Sequence, residues 1–286
     1  MTPSSARFVP AHLFAGQLNV PAIWCAFHAG QVLVQRSQAG PLLPVARAEE
    51  LGVHLAACHY LGMLDGQHCF AAHLPEARAL PPDTQFIGMR TLILEAEEWV
   101  AALAGRAFQI AEWDRTHRYC GSCGAATTMH ASDRARECRS CRAIYYPRIS
   151  PVVMAVVTHG RQLLLTRKPG YAPGRYTVVA GFVEAGETLE HAAAREVLEE
   201  TGVVTANPLY FGSQPWPFPG SLVMAFSLEY AQGEARADGV ELEDARWFDV
   251  DELPELPEPV HISRQLIDAA VARLRGARLS FSRLPE

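Results

Sequence analysis

At 286 residues the chain exceeds one average domain of roughly 100–200 residues, and its net charge of −6 argues against nonspecific binding to nucleic acid or anionic membranes. Hydrophobic residues at 49% and charged residues at 20% exclude a disordered, collagen-like or coiled-coil chain. No stretch nears the roughly 18 consecutive apolar residues of a membrane span, and Met1 to Val20, broken by Pro3, Pro10 and His12, lacks the basic-then-apolar order of an export signal. The expectation is a soluble, cytoplasmic protein with no membrane partner.

The residues divide into three segments, giving an α+β multidomain chain. Residues 1–112 carry short apolar stretches, Ala22 to Phe27 and Val32 to Val34, then a helical stretch from Arg90 through Leu103 that should stop at Gly105. This predicts an N-terminal α+β domain with no chemical motif of its own. Cys25, Cys58 and Cys69 lie apart within it and read as small buried hydrophobes.

Residues 113–148 contain two C-x-x-C pairs, Cys120 with Cys123 and Cys138 with Cys141, separated by fourteen residues. Two such knuckles can fold back to present four thiolates as a tetrahedron, which predicts a zinc ribbon. Gly121, Gly124 and Ser140 are small residues where backbone must wrap closely. A closed four-sulfur site has no open position, so one zinc per chain would be structural, replacing a core that some thirty residues cannot build. Arg134, Arg136, Arg139, Arg142 and Arg148 concentrate positive charge here, which reads either as a phosphate track for single-stranded RNA or as a solvated knuckle.

Residues 149–286 open with apolar strands, Val152 to Val157 and Leu163 to Leu165, and close with a helix from Ile262 to about Leu274. Between Gly181 and Val203 lies the densest chemistry. Gly181 and Gly186 bracket a tight loop, Thr188 suits an N-cap, and the helix ends at Gly202. At about 100° per residue, Glu196, Glu199 and Glu200 share an arc of roughly 100°. Crowded carboxylates cost helix stability unless a cation sits among them, so the arc reads either as a solvated acidic face or, as the glycine-bracketed loop and Glu187 favour, as a site for Mg²⁺ or Mn²⁺ shared with substrate phosphates. Arg195 stands four residues before Glu199 and is placed to orient it, and Glu187 sits at the loop's mouth. Downstream, Gln214-Pro215-Trp216-Pro217-Phe218-Pro219-Gly220-Ser221 holds two aromatics on a stiffened backbone. Trp216 and Phe218 read equally as a wall for a flat ring, with Gln214 and Ser221 as hydrogen-bonding groups, or as core.

The stretch from Gly181 to Val203 resembles the Nudix box, G-x5-E-x7-R-E-U-x-E-E-x-G-U with U aliphatic, at every fixed position. The proline-aromatic run after Ser213, together with the four-cysteine segment, resembles the NADH pyrophosphatase and NAD-capped RNA hydrolase branch of that family. The resemblance is specific from Arg90 onward and loose before it. It implies a Nudix α/β/α sandwich in 149–286 that cuts the pyrophosphate of NAD(H), giving nicotinamide mononucleotide and AMP, and removes an NAD cap from RNA to leave a 5′-monophosphate. It further implies catalytic-metal ligands at the Ala180 carbonyl, Glu196, Glu200 and Glu241, with Glu199 sharing the metal or activating water. Substrate contacts would be Tyr146, the run Gln214 to Ser221, Ser263, Arg36 and Arg90, and the protein would be a homodimer. Alternatives are hydrolysis of another dinucleotide, such as ADP-ribose or diadenosine polyphosphate, or a zinc-ribbon RNA-binding module beside an inactive Nudix domain; the retained Glu196, Glu199 and Glu200 argue against the last.

Overall fold

The protein is described here from a computed structural model covering residues 8–277, apart from 15, 17–19, 55–56, 75–81 and 219. The chain divides into two compact units, Met1–Arg148 and Ile149–Glu286.

The first unit begins with strands β1 (Phe8–Pro10), β2 (Ala22–His28), β3 (Gln31–Gln35), β4 (Val45–Ala46), β5 (His59–Leu64), β6 (Gln67–His73) and β7 (Thr84–Gly88). Among the described residues these form one sheet in the order β1-β5-β6-β2-β3-β7, with β4 paired to β2. Strand β2 is buried along Ala22 to Phe27, as a central strand covered on both faces must be. One face packs Trp24, Leu33, Tyr60 and Phe70 into an apolar cluster, where Trp24 stacks on Phe70 at 5.2 Å. The indole N–H is satisfied by the Ala46 carbonyl at 2.8 Å.

Helices α1 (Met89–Glu95) and α2 (Glu98–Thr116) replace the single helix expected to end at Gly105. Ala96 and Glu97 turn extended between them, although their helix propensity does not call for a break. Gly105 is buried inside α2, and the helix runs on to Thr116 because Val100, Leu103, Ala107, Ile110 and Ala111 keep one apolar face in the core. The unit ends in a small sheet, ordered β10-β9-β8, of β8 (Thr127–Met129), β9 (Arg136–Cys138) and β10 (Ile144–Tyr145). Cys25 and Cys69 are buried, as expected, whereas Cys58 is only partly covered.

The second unit contains β11 (Ser150–His159), β12 (Gln162–Arg167), β13 (Val179–Phe182), α3 (Leu189–Thr201), β14 (Val204–Trp216), β15 (Ser221–Gln232), β16 (Asp244–Asp249) and α4 (Ile262–Leu274). Its sheet is ordered β14-β15-β11-β12-β16, with β13 also paired to β11; β11 and β15 run parallel, and the other pairs are antiparallel. Alternation along β11 divides the core. Val153, Ala155 and Val157 join Ala192, Ala193 and Val197 of α3, while Val156 joins Leu266, Ile267 and Ala270 of α4. Each fully buried aliphatic side chain contributes about 1.5–3 kcal/mol, so both helices are held mainly by these faces. The result is the expected α/β/α sandwich, and β13 is set beside α3.

Candidate active site and metal centres

Helix α3 is fixed at both ends. The Thr188 hydroxyl accepts a hydrogen bond from the His191 N–H at 3.3 Å, and Gly202 ends the helix at φ 71°. With Ala192, Ala193 and Val197 turned into the core, Glu196 is half-buried, Glu199 exposed and Glu200 only 3% exposed. The two glycines of the preceding loop serve different ends. Gly186 supplies a left-handed turn at φ 88°, whereas a Cβ on Gly181 would lie 1.9 Å from the Glu196 carboxyl carbon. Gly181 is therefore the space into which the Glu196 carboxylate fits.

Arg195 ties the loop to the helix. Its guanidinium donates to both oxygens of Glu187 at 2.8 and 2.9 Å, to Glu196 at 2.8 Å, to Glu199 at 2.9 Å and to the Phe182 carbonyl at 2.9 Å. The sequence pairs Arg195 with Glu199; the two-pronged contact goes to Glu187, which it holds down to about 2.

Glu200 has no such partner. Both its carboxylate oxygens are buried without a hydrogen bond, and burial, reinforced by Glu196, Glu241 and Asp238, pushes its carboxyl up to about 7 despite the opposing pull of Lys168. Burial also raises Glu196, against the pull of Arg195 and with help from Glu199 and Glu241. Glu241 is presented by a turn in which Asp238 accepts the N–H groups of Val240, Glu241 and Leu242 at 2.9–3.1 Å. The Lys168 ammonium lies 3.9 Å from Glu200 Oε1 and donates to the Ala180 carbonyl at 3.2 Å. Glu196, Glu200, Glu241 and the Ala180 carbonyl thus form a site rich in oxygen and negative charge. The two orphaned oxygens of Glu200 are hard donors of the kind a divalent cation takes. Sequence reasoning missed Lys168 and Asp238, which carry no motif of their own and matter only through the fold.

The cysteines meet a stricter geometric test. All four Sγ atoms lie within 4.8 Å of one another, with Cys120–Cys141 and Cys123–Cys138 at 3.5 Å. Zn–S bonds of about 2.3 Å place tetrahedral sulfurs a little under about 4 Å apart, so this donor set fits zinc. The two knuckles repeat one hydrogen-bond pattern. Gly124 N–H reaches the Cys120 carbonyl at 2.9 Å, and Arg142 N–H reaches that of Cys138 at 2.8 Å. Both residues are left-handed, Gly124 at φ 75° and Arg142 at φ 66°, so the second tight turn falls on Arg142 and not on Ser140. A hydrogen bond with the Tyr145 hydroxyl, 3.0 Å away, is the main cause that draws the Cys120 thiol down to about 5, favouring the thiolate a metal requires.

Of the five arginines that read either as a phosphate track or as a solvated knuckle, two are spent within the first unit. Arg134 donates to the carbonyls of Ala11 at 2.7 Å and Tyr60 at 3.1 Å, and Arg136 is buried against Asp114 and Thr127. Both tie the ribbon to the rest of the first unit, because a buried guanidinium must spend its donors on protein acceptors. Arg139, Arg142 and Arg148 remain exposed.

In the second unit the proline-aromatic run joins the end of β14 to the start of β15. Trp216 meets Phe218 edge-on at 5.4 Å and His261 at 5.3 Å, while part of its ring packs against the α4-side core. Pro217, Gly220, Ser221 and Ser263 are buried, Pro215 is exposed, and Pro219 lies outside the described residues. Gln214 is largely spent on the fold: its amide accepts from Ile262 N–H at 3.0 Å and donates to the Val260 carbonyl at 2.8 Å, fixing the start of α4. In the first unit, Arg36 donates to Gln85, the Tyr146 hydroxyl donates to Asp133 at 2.9 Å, and Arg90 lies exposed on α1.

Three family models match successive stretches of the chain. A NADH pyrophosphatase-like rudimentary NUDIX domain matches residues 21–113, a NADH pyrophosphatase zinc ribbon domain 115–146, and a NUDIX domain 148–269. The chain is 41% identical over 258 residues to the NAD-capped RNA hydrolase NudC of Chromobacterium violaceum, covering 90% of this chain and 94% of that one. It is 41% identical over 253 residues to a protein of the same name from Stutzerimonas stutzeri, covering 88% and 91%. Among solved structures, a NUDIX hydrolase from Nitrosomonas europaea aligns with 56% of this chain and 94% of its own, at TM-score 0.47 and 24% identity.

Proposed function

Because the chain belongs to the NADH pyrophosphatase and NAD-capped RNA hydrolase branch of the NUDIX family, we propose that it hydrolyses the pyrophosphate of NAD(H) to nicotinamide mononucleotide and AMP, and removes the NAD cap from RNA 5′ ends. The observation that carries this reading is the orphaned, buried Glu200 carboxylate beside Glu196, Glu241 and the Ala180 carbonyl. Such a charge is costly to bury unless a cation completes it.

Ala180, Glu196, Glu200 and Glu241 are the residues we assign to hold a divalent ion, Mg²⁺ or Mn²⁺. When bound, the ion supplies charge neutralisation for the pyrophosphate and acidifies a water. The protein supplies placement. Gly181 gives Glu196 its room, Arg195 locks Glu187 and Glu196 to the loop, and the Asp238 turn presents Glu241. Glu199 is exposed, tethered only on one side by Arg195, and we assign it to orienting or deprotonating the attacking water. Trp216 and Phe218 are assigned to border the nicotinamide or adenine, with Pro215 and Pro217 stiffening that wall; Gln214, Pro219, Gly220, Ser221 and Ser263 are assigned to the same substrate-binding segment by resemblance to the branch. Tyr146, Arg36 and Arg90 are assigned as further substrate contacts by resemblance to the branch. The same resemblance supports a homodimer. Seven unpaired cysteines, four of them gathered for zinc, support a reducing, cytoplasmic location.

The test incubates the purified protein and Mg²⁺ or Mn²⁺ with NADH, NAD, ADP-ribose and a 5′-NAD-capped RNA in parallel, resolving nucleotides by chromatography and RNA ends by gel. Cleavage of both nicotinamide dinucleotides and the capped RNA is expected. Cleavage of ADP-ribose alone would make Trp216 and Phe218 core and overturn the assignment.

A further inference from the structure

Lys168 follows β12 directly, and its side chain is 31% exposed. Its ammonium donates to the Ala180 carbonyl at 3.2 Å and approaches Glu200 Oε1 at 3.9 Å. These are two of the four groups assigned above to the divalent ion. Neighbouring cations point elsewhere: Arg195 serves Glu187, Glu196 and Glu199, and Arg167 lies 3.4 Å from Glu243 with its guanidinium over the Tyr176 ring. Among the described residues Lys168 is thus the cation that approaches both the strand carbonyl and the deepest carboxylate. A carbonyl oxygen has two lone pairs, but one that already accepts from an ammonium has less negative charge to offer a divalent ion. An ammonium and a divalent ion a few ångströms apart repel one another strongly in a partly buried site.

We propose that Lys168 is a built-in counter-ion, whose ammonium competes with the catalytic divalent cation for the Ala180 carbonyl and Glu200 and thereby weakens the site's affinity for that ion. A lysine suits this role better than an arginine. It is a compact charge on a flexible four-carbon stem and can swing out toward solvent, whereas a guanidinium fork would be held by several partners at once. The inference rests on the metal-site assignment under Proposed function, but not on which dinucleotide is cut.

Mn²⁺ binding to the zinc-loaded, full-length protein tests it, without substrate, by counting free Mn²⁺ with electron paramagnetic resonance. The variants are Lys168→Met, Lys168→Arg and, as a neighbouring-charge control, Arg167→Met. Lys168→Met is expected to bind Mn²⁺ roughly ten- to a hundredfold more tightly than wild type, Lys168→Arg to stay much closer to wild type, and Arg167→Met to change by less than about threefold. Its cleavage of NADH should correspondingly saturate at lower Mn²⁺. Unchanged or weaker binding by Lys168→Met overturns the inference. So does an equal gain in Arg167→Met, which would mark a diffuse field effect rather than competition for shared oxygens. Failure of wild type to bind Mn²⁺ at all would instead strike the metal-site assignment itself, which keeps the two failures distinct.

Discussion

Glu200 shows how a single residue can be shaped for chemistry at the expense of the fold. Its carboxyl is raised from 4.5 to about 7, mainly by burial. The folded state therefore binds its proton more tightly than the unfolded chain does, and stability falls as pH rises from about 4.5 through 7. At 1.36 kcal/mol per unit, the burden above pH 7 is roughly 3 kcal/mol without a divalent ion. Glu200→Gln keeps the shape and removes the charge. In zinc-loaded protein free of Mg²⁺ and Mn²⁺, urea unfolding should find it more stable than wild type by about 2–3 kcal/mol at pH 8, with the gain shrinking toward zero near pH 4.5. A variant less stable than wild type at pH 8 would mean that Glu200 is satisfied within the fold. Of this residue's neighbours, Glu196 and Glu199 are legible from spacing alone, because a 3.6-residue repeat puts them on one face. Lys168 and Asp238 are not, because they come from distant segments that only the sheet brings together.

At the scale of elements, the loop and turns that hold the sites were partly readable. Gly181 and Gly186 look alike in the sequence, yet one makes room and the other makes a turn. Gly181→Ala should leave the second unit folded, since β13 tolerates any residue's backbone there, but must push the Glu196 carboxylate from its place. Loss of NADH cleavage by about a hundredfold or more, with an unchanged circular dichroism spectrum, is expected, as catalytic geometry is sensitive to shifts of about 1 Å. Wild-type activity in this variant would remove the role given to Gly181. The zinc knuckles show the reverse. Their spacing predicts the metal, but nothing local marks Arg142 as the residue at φ 66°. A left-handed non-glycine residue costs roughly 1–2 kcal/mol, so Arg142→Gly should raise the first unit's resistance to urea, by about 1 kcal/mol after the extra unfolded-state entropy of glycine. The break between α1 and α2 is not legible in the sequence either, since Ala96 and Glu97 favour helix yet are extended in the fold.

For the whole molecule, the sequence marks out three functional segments through motifs that are dense and local: a metal tetrad, a carboxylate helix and a proline-aromatic run. It does not say how the ribbon is anchored. Asp114 on α2 is the anchor. Burial opposes its charge, but His59, Arg136 and Arg118 outweigh that and hold its carboxyl at about 2. Arg134 and Arg136, which the sequence left open between a phosphate track and a solvated knuckle, are instead committed to internal contacts, a use visible only once burial is known. Removing zinc, or replacing Cys138 by serine, should therefore loosen more than the ribbon: calorimetry is expected to show a lowered transition for the first unit while the second, with its own core on both faces of the sheet, keeps its transition. Equal loss from both units would contradict that division of stability.

The carboxylates of α3 and of the Asp238 turn are the groups assigned to cleavage of the NAD pyrophosphate. The most direct measurement is the mass balance of NADH hydrolysis by wild type and Glu200→Gln at saturating Mg²⁺, with zinc content and folding checked in both. Equimolar reduced nicotinamide mononucleotide and AMP are expected from wild type, and a rate lower by roughly a thousandfold in Glu200→Gln, given several kcal/mol of transition-state stabilisation from the bound ion. A folded Glu200→Gln protein that turns over NADH at the wild-type rate would contradict that assignment.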